Sequence, residues 1–244
     1  MALDIINSED GRYIDLPENL QFNVGYEPTR MKDKNYVINQ ETDEVIGIVG
    51  NNFKCSTHQE FTDTFTKPLF SKLSTHDIDG MECNISTARN NGFMMLDLNF
   101  PTTKTTITTD TMAQKVGLRI VALHGVDGLC SNQVYFGAID FFCTNGQITG
   151  EHDKIRKKNT SGFSIGGFLR EIENMDFDFK RHTTKLQEWA STPLNYINVR
   201  DMLHSLMKSE RKGDKMLGLY GREASRRGHN LYALYSAFTN YSTY

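Results

Sequence analysis

Proline is scarce in this 244-residue chain, five residues spread along its length, tryptophan occurs once, and neither sign of charge dominates, with 27 Lys and Arg against 30 Asp and Glu. A disordered or linker-dominated protein normally carries the opposite signature. No stretch approaches the roughly 18 uninterrupted apolar residues of a membrane span. The first residues, MALDIINSEDGRY, are acidic where a secretory leader has a basic region followed by an apolar one. Membrane insertion and secretion are not expected, and the expected location is the cytoplasm. The four cysteines, Cys55, Cys83, Cys130 and Cys143, lie far apart, with no C-x-x-C and no histidine at zinc-finger spacing. Free thiols are the simpler reading than a disulfide framework or a metal set. Catalytic signatures are missing as well: no G-x-x-x-x-G-K-[ST], no G-x-S-x-G, no H-E-x-x-H and no glycine fingerprint after a strand. These absences argue for a protein that is not an enzyme and needs no cofactor.

What is present reads as an α+β chain. YVINQETDEVIGIVGNNF (36–53) has the form of a hairpin, with Gly47 marking a bulge or a close backbone approach. STHQEFTDTFTKPLFSKL follows, where Ser56 and Gln59 stand at capping-box spacing and Phe61, Phe65, Leu69 and Leu73 recur every four residues, an amphipathic helix that Pro68 should kink or break. In FMMLDLNF (93–100), Met94, Leu96, Leu98 and Phe100 alternate with more polar neighbours, and Asn90-Asn91-Gly92 predicts a hairpin back to Cys83–Thr87. The threonine run 102–111 reads as an exposed strand or loop anchored by Ile107, and LRIVALHG (118–125) and QVYFGAIDFFCTNGQI (133–148) as two more strands. Together these make an antiparallel meander of at least four or five strands. Then the period changes: Ile165, Phe168, Ile172, Met175, Phe179, His182, Leu186 and Trp189 alternate steps of three and four, predicting one long amphipathic helix that Pro193 stops. Further helices are expected near 198–209, capped by Asn198, and 230–242. The expected organisation is a core of residues 1–192 with a helical region, 193–244, packed on it.

Charge is distributed unevenly. Residues 1–150 hold 11 basic and 19 acidic side chains, residues 151–244 hold 16 and 11. Either the C-terminal part meets a polyanion, since neutralising phosphates releases condensed counterions, or the two halves attract one another. The densest basic cluster is Lys154, Arg156, Lys157 and Lys158, expected in a loop beside Thr160, Ser161 and Gly162, where charge and free backbone N–H groups could grip phosphates together. Arg170, Lys180 and Arg181 lie off the apolar stripe and could extend the track, although Glu171, Glu173, Asp176 and Asp178 intervene and a merely solvated face fits as well. Lys208, Arg211, Lys212, Lys215, Arg222, Arg226 and Arg227 form a second basic region. A metal site could be sought at His76, Asp77 and Asp79 or at His152 and Asp153, but Asp176 and Asp178, about 200° apart on a helix, cannot chelate one ion together. No metal is expected. His182 falls on the apolar stripe, where a hydrogen-bonded core histidine outweighs a ligand or base.

The order of VIGIVGNNFKCSTHQEF (45–61), GVDGLCSNQVYFGAIDFFCTNGQI (125–148), KKNT (157–160) and NLYALYSAFTNYSTY (230–244) resembles the phage- and plasmid-like domain of unknown function common in phage genomes. Members carry a "vLGvVG..Y.p.qn.eaf" segment, a "DGS" turn, an "RvVC.NTL" strand end, an "HT" step and a terminal "WglynAvteY". Here the turn is Asp127-Gly128-Leu129, Cys143-Thr144-Asn145-Gly146 only approximates the strand end, and Asn159-Thr160 replaces the His-Thr step. That family has no established catalytic residues to carry over. A β-meander followed by a long helix is also similar to the core of the single-strand annealing recombinases, the superfamily of the eukaryotic Rad annealing protein and the phage Erf and Red-beta proteins, which form rings or filaments around single strands in a basic groove. This is fold analogy. The resemblance implies a phage-encoded, non-catalytic protein that binds and anneals single-stranded DNA in recombination or replication, acting as a homo-oligomer in the host cytoplasm. Its contacts would be Lys154, Arg156, Lys157, Lys158, Arg170, Lys180 and Arg181. The alternatives are a structural or interaction protein, as in a virion component or host-factor binder, and a metal-dependent nuclease at His76, Asp77 and Asp79.

Overall fold

The structure, a computed structural model, describes residues 3, 5–8, 11–140, 148–157, 167, 170 and 179–243. It is α+β, with antiparallel sheets followed by a helical C-terminal region. Strands β1 (Ile5–Ser8) and β2 (Gly11–Ile14) form a small hairpin. A three-stranded sheet joins β3 (Val24–Pro28), β4 (Lys34–Asn39) and β5 (Val45–Gly50). The main sheet contains β6 (Glu82–Ala88), β7 (Phe93–Thr108), β8 (Ala113–Gly125), β9 (Asn132–Asp140) and β10 (Ile148–Lys157), and its spatial order is the order of the chain. Such a meander needs only hairpin connections, which is what antiparallel neighbours permit.

The chain divides into two compact units. One comprises Met1–Thr102, Ile120–Phe136 and Asp153–Asp176, the other Thr103–Arg119, Gly137–His152 and Phe177–Tyr244. In the first, the alternation expected of 93–100 is realised: Met94, Leu96, Leu98 and Phe100 are fully buried. Ala88 pairs with Phe93 across a turn in which Arg89, Asn90 and Asn91 all take positive φ, the conformation that asparagine tolerates best after glycine. The 36–53 hairpin is β4 and β5. Val37 pairs with Gly47 and Ile38 with Val45, so Ile46 is the extra residue of a bulge.

Helix α1 (His58–Lys72) corrects the expected cap and, of the kink or break expected at Pro68, excludes the break. The capping box is formed by Thr57 and Glu60, one residue later than the Ser56 and Gln59 spacing suggested, because Ser56 turns its hydroxyl toward His124. Pro68 sits inside the helix without ending it. A mid-helix proline forfeits one backbone bond and crowds the carbonyl four residues back. Burial of Phe61, Phe65, Leu69 and Phe70 along the inner face offsets that cost. Gln59 also ties α1 to β2, donating to the Ile14 carbonyl at 2.9 Å and accepting from the Leu16 N–H at 3.1 Å. A short helix α2 (Thr75–Asp79), capped by Ser74, precedes β6.

In the second unit the threonine run is strand, since β7 continues to Thr108 with Ile107 buried. Helix α3 (Phe179–Ala190) carries the described end of the expected stripe: His182 and Leu186 are buried, Phe179 and Trp189 half-buried. Gly167 and Arg170, which are not part of the stripe, are helical, and the stripe's residues before 179, Ile165, Phe168, Ile172 and Met175, lie outside the described residues. Leu186, Ala190, Ile107, Val116 and Tyr232 make one apolar cluster. The Gln187 amide completes it at the edge, donating to the Thr108 carbonyl at 2.8 Å and accepting from the Thr108 N–H at 2.9 Å. Helices α4 (Val199–Met207, capped by Asn198) and α6 (Leu231–Thr243) stand where periodicity placed them. Between them α5 (Glu210–Arg227) is a helix that periodicity did not single out, because its glycines and charges dilute the apolar pattern. It is held by Met216, Leu219, Tyr220 and Ala224, which pack with Leu203 of α4 and Ala233, Leu234 and Ala237 of α6.

Arg227 closes this unit from inside. It is buried, donates to Glu223 at 2.8 Å and to the Gln114 side-chain oxygen, and lies 4.9 Å from the Tyr232 ring centroid. Removing one member of such a pair strands a buried charge, whereas replacing both with apolar side chains is far less costly. We expect Arg227→Met to lower unfolding free energy by about 3 kcal/mol, and the double variant Arg227→Met/Glu223→Met to lose less than the single one. Urea unfolding of the three proteins checks this.

Candidate functional site

The basic cluster chosen from sequence falls largely in a strand. Lys154, Arg156 and Lys157 belong to β10, which closes one edge of the main sheet; they are not in a loop. The backbone groups of β10 that face β9 are used in the ladder. Lys158, Thr160, Ser161 and Gly162 lie outside the described residues. Arg156 is exposed, and its Nε donates to Ser131 Oγ at 2.9 Å. Arg170 is helical and exposed, and Lys180 and Arg181 are exposed in the first turn of α3.

The second basic region proves more ordered. On α5, Arg211, Lys215, Arg222 and Arg226 are all exposed, and at 100° per residue they fall within an arc of about 60°. The stripe runs about 22 Å along the helix. Gly218 lies between its two pairs in sequence and about 20° from the edge of the stripe, and a Cβ placed on it would meet nothing within 4 Å. A strand of phosphates could therefore approach the helix backbone closely at its centre. Lys212 is exposed to one side and Lys208 just before the helix, while Arg227 is withdrawn into its pair with Glu223. Asp214 is occupied by His204, 3.1 Å away, and stands 4.0 Å from Arg200.

Of the acidic residues considered for metal, Asp176 and Asp178 lie outside the described residues, and Asp77 and Asp79 are engaged otherwise. Asp77 accepts from Thr102 Oγ1 at 2.9 Å and from the Ser74 hydroxyl at 2.6 Å, and Asp79 pairs with Arg12 at 2.8 Å. Among the described residues no group of three His, Cys, Asp or Glu side chains could hold a metal ion.

A polar chain that sequence reading passed over runs through the first unit. His58 Nε2 stands 2.8 Å from the Asn91 carbonyl, His58 Nδ1 2.7 Å from His124 Nδ1, and His124 Nε2 3.4 Å from Ser56 Oγ. The carbonyl can only accept, and this sets every proton in the chain. His58 donates through Nε2 to Asn91 and accepts at Nδ1; His124 donates through Nδ1 and leaves Nε2 to accept from the Ser56 hydroxyl. His124 is fully buried, with Phe61 stacked on it at a 4.5 Å centroid distance. Burial pushes the His58 imidazole down to about 4 against the pull of the Asn91 carbonyl and the Asp127 charge, and pushes His124 well below its ordinary value, with His58 adding to the effect. Both rings are neutral at pH 7. Sequence held a faint signal for them. His58 is in register with Phe61, Phe65 and Leu69 on the inner face of α1, and His124 continues the buried alternation Leu118, Ile120, Ala122.

Ser56 opens onto a cleft of about 520 Å³ that Lys54, Cys55, Glu60, Asp63, Thr64 and Lys67 also line. Burial raises the Cys55 thiol to about 11, outweighing the Tyr26 hydroxyl 3.3 Å away, and raises Cys83 to about 12, so these two are protonated thiols at neutral pH. Cys55, Cys83 and Cys130 are free, as expected, and Cys143 lies outside the described residues. Compared with known proteins, the chain matches no family model, no curated protein and no solved structure.

The histidine pair makes stability depend on pH with a definite sign. Folded-state values below the ordinary 6.5 mean that the unfolded chain takes up protons first, so stability is full above about pH 6.5 and falls as pH drops toward 4. Each histidine contributes a slope of about 1.4 kcal/mol per pH unit in that window. We expect His58→Gln to reduce the slope by about that amount between pH 6.5 and 4.5, read from urea unfolding followed by far-ultraviolet circular dichroism.

Proposed function

We propose that this protein binds single-stranded nucleic acid, single-stranded DNA in the first instance, through its phosphate backbone. The observation that carries the reading is the α5 stripe of Arg211, Lys215, Arg222 and Arg226, four exposed cations along one helix face with the open Gly218 beside them. A stripe of this kind neutralises successive phosphates without reading bases, and the counterions released make affinity strongly salt-dependent. Lys154, Arg156, Lys157, Lys158, Arg170, Lys180 and Arg181 are the second contact set of the proposal, with Arg156, Arg170, Lys180 and Arg181 exposed in support of it. Single-strand annealing by a homo-oligomer is the role that the fold analogy to the single-strand annealing recombinases adds, and a phage origin is what the resemblance to the phage- and plasmid-like family adds.

The test is binding to a fluorescent single-stranded oligonucleotide and to its duplex over a salt series. For the unmodified protein we expect salt-sensitive, chelator-indifferent binding that favours the single strand. Arg211→Glu/Arg222→Glu should weaken it at least tenfold and lower the salt slope by about 1.4, two phosphate contacts' worth on a single strand. Reversal at Arg156, Lys157 and Lys158 tests the second set in the same assay. No binding at low salt would retire the reading in favour of a structural or interaction protein.

A further inference from the structure

We propose that Ser56 is a nucleophile activated by His124 and that the cleft beside it accepts a small polar acyl ester, an activity independent of nucleic-acid binding. Three features combine. The hydrogen-bond chain ends on Ser56 with an accepting Nε2, so the hydroxyl proton points at a base. The orientation of that base is locked from behind, because His58 holds Nδ1–H of His124 at 2.7 Å and is itself anchored on the Asn91 carbonyl at 2.8 Å. Ser56, itself only 8% exposed, is among the residues lining a cleft of about 520 Å³, large enough for a small substrate, and the fully buried His124 lies behind it. A nucleophile, a base and a third group that fixes the tautomer of the base is the arrangement that hydroxyl activation requires.

The chemistry balances within the chain and water. Ser56 Oγ attacks the acyl carbon as its proton passes to His124 Nε2. The resulting imidazolium is held by its Nδ1–H bond to the neutral His58 ring, which takes the part a carboxylate plays elsewhere. The bond to the leaving oxygen breaks, that oxygen receives the proton from His124, and the alcohol departs. Water then attacks the acyl-serine with the same base, releasing acid and restoring Ser56. Ester and water give acid and alcohol, with no oxidant, metal or cofactor. Ser56 directly precedes the Thr57 cap of α1, and the N–H groups of His58 and Gln59, in the first turn, have no carbonyl within the helix to reach. They are the donors nearest in sequence for the oxyanion. The cleft is lined by Lys54 and Lys67 together with Glu60 and Asp63, which suits an ester bearing polar groups of either sign over a long aliphatic chain.

The experiment treats the full chain with a fluorophosphonate probe, maps the adduct by peptide mass spectrometry, and follows p-nitrophenyl acetate hydrolysis. The expected result is one adduct, on Ser56, lost in Ser56→Ala, with labelling slowed about a hundredfold or more in His124→Gln, the lower end of what a general base contributes. The pH profile of the unmodified protein keeps the test decisive if the His124 variant does not fold. With a base already neutral, the labelling rate should be flat between pH 7 and 9. A rate rising tenfold per pH unit is that of an unassisted hydroxyl and would overturn the proposal. So would an absence of labelling, an adduct elsewhere, or an unchanged rate in a folded His124→Gln protein.

Discussion

The buried carboxylate of Asp127 is the interaction on which the first unit depends. It is only 2% exposed, and a charge at that depth is tolerated only when its oxygens are satisfied. Arg89, from the β6–β7 turn, donates to one oxygen, and the Leu129 N–H donates to the other at 2.9 Å. The Arg89 guanidinium in turn lies 4.9 Å from the Phe93 ring centroid. Two turns and strand β5 meet at this point. The Val126 N–H bonds the Gly92 carbonyl at 2.9 Å, and β5 comes so close that a Cβ on Gly47 would stand 2.7 Å from the Asp127 carbonyl oxygen. Gly128 follows at φ +81°, with Val49 filling the space where a side chain would go. Only glycine meets both the conformational and the steric demand at that position.

Because Asp127 holds the β6–β7 turn, it also sets the position of Asn91, whose carbonyl begins the histidine chain. The aspartate charge favours protonation of His58, while burial opposes it more strongly. The ionised group at the turn and the neutral rings behind it are thus parts of one polar network in an otherwise apolar interior. Networks of this type specify a unique arrangement when every member is satisfied. In the second unit Arg227 has the corresponding place, binding Glu223 and Gln114 beneath the Tyr232 ring.

Burial also sorts the basic residues by role. Arg89 and Arg227 are spent on internal carboxylates, whereas Arg211, Lys215, Arg222 and Arg226 stay on the solvent face of α5. Helix periodicity does this sorting: α5 buries Met216, Leu219, Tyr220 and Ala224 against its neighbours, and residues off that face have nowhere to go but outward. The surplus of positive charge in residues 151–244 thus resolves into a line. Lys154, Arg156 and Lys157, expected in a loop, lie in a strand because pairing with β9 extends to Lys157.

Periodicity and turn chemistry alone determined the α+β class, the meander, the β4–β5 hairpin, the Asn-Gly hairpin before β7, the buried face of 93–100, the Asn198 cap and the described end of the helical stripe. All of these are set between residues close in the chain, where side-chain spacing reports directly on backbone period. What the tertiary structure decided is long-range. His58 and His124 are 66 residues apart, Arg89 and Asp127 38 apart, and Gln114 and Arg227 113 apart. No local pattern encodes such pairs. Local signals also misled where tertiary packing overrode them: Thr57 took the cap because Ser56 was drawn to His124, α1 ran through Pro68 because its aromatic face was buried, and α5 formed despite its glycines because two helices pack on it. A helix or strand is chosen by its neighbours in sequence, but a buried hydrogen bond or ion pair is chosen by whatever the folded chain leaves within reach to satisfy it.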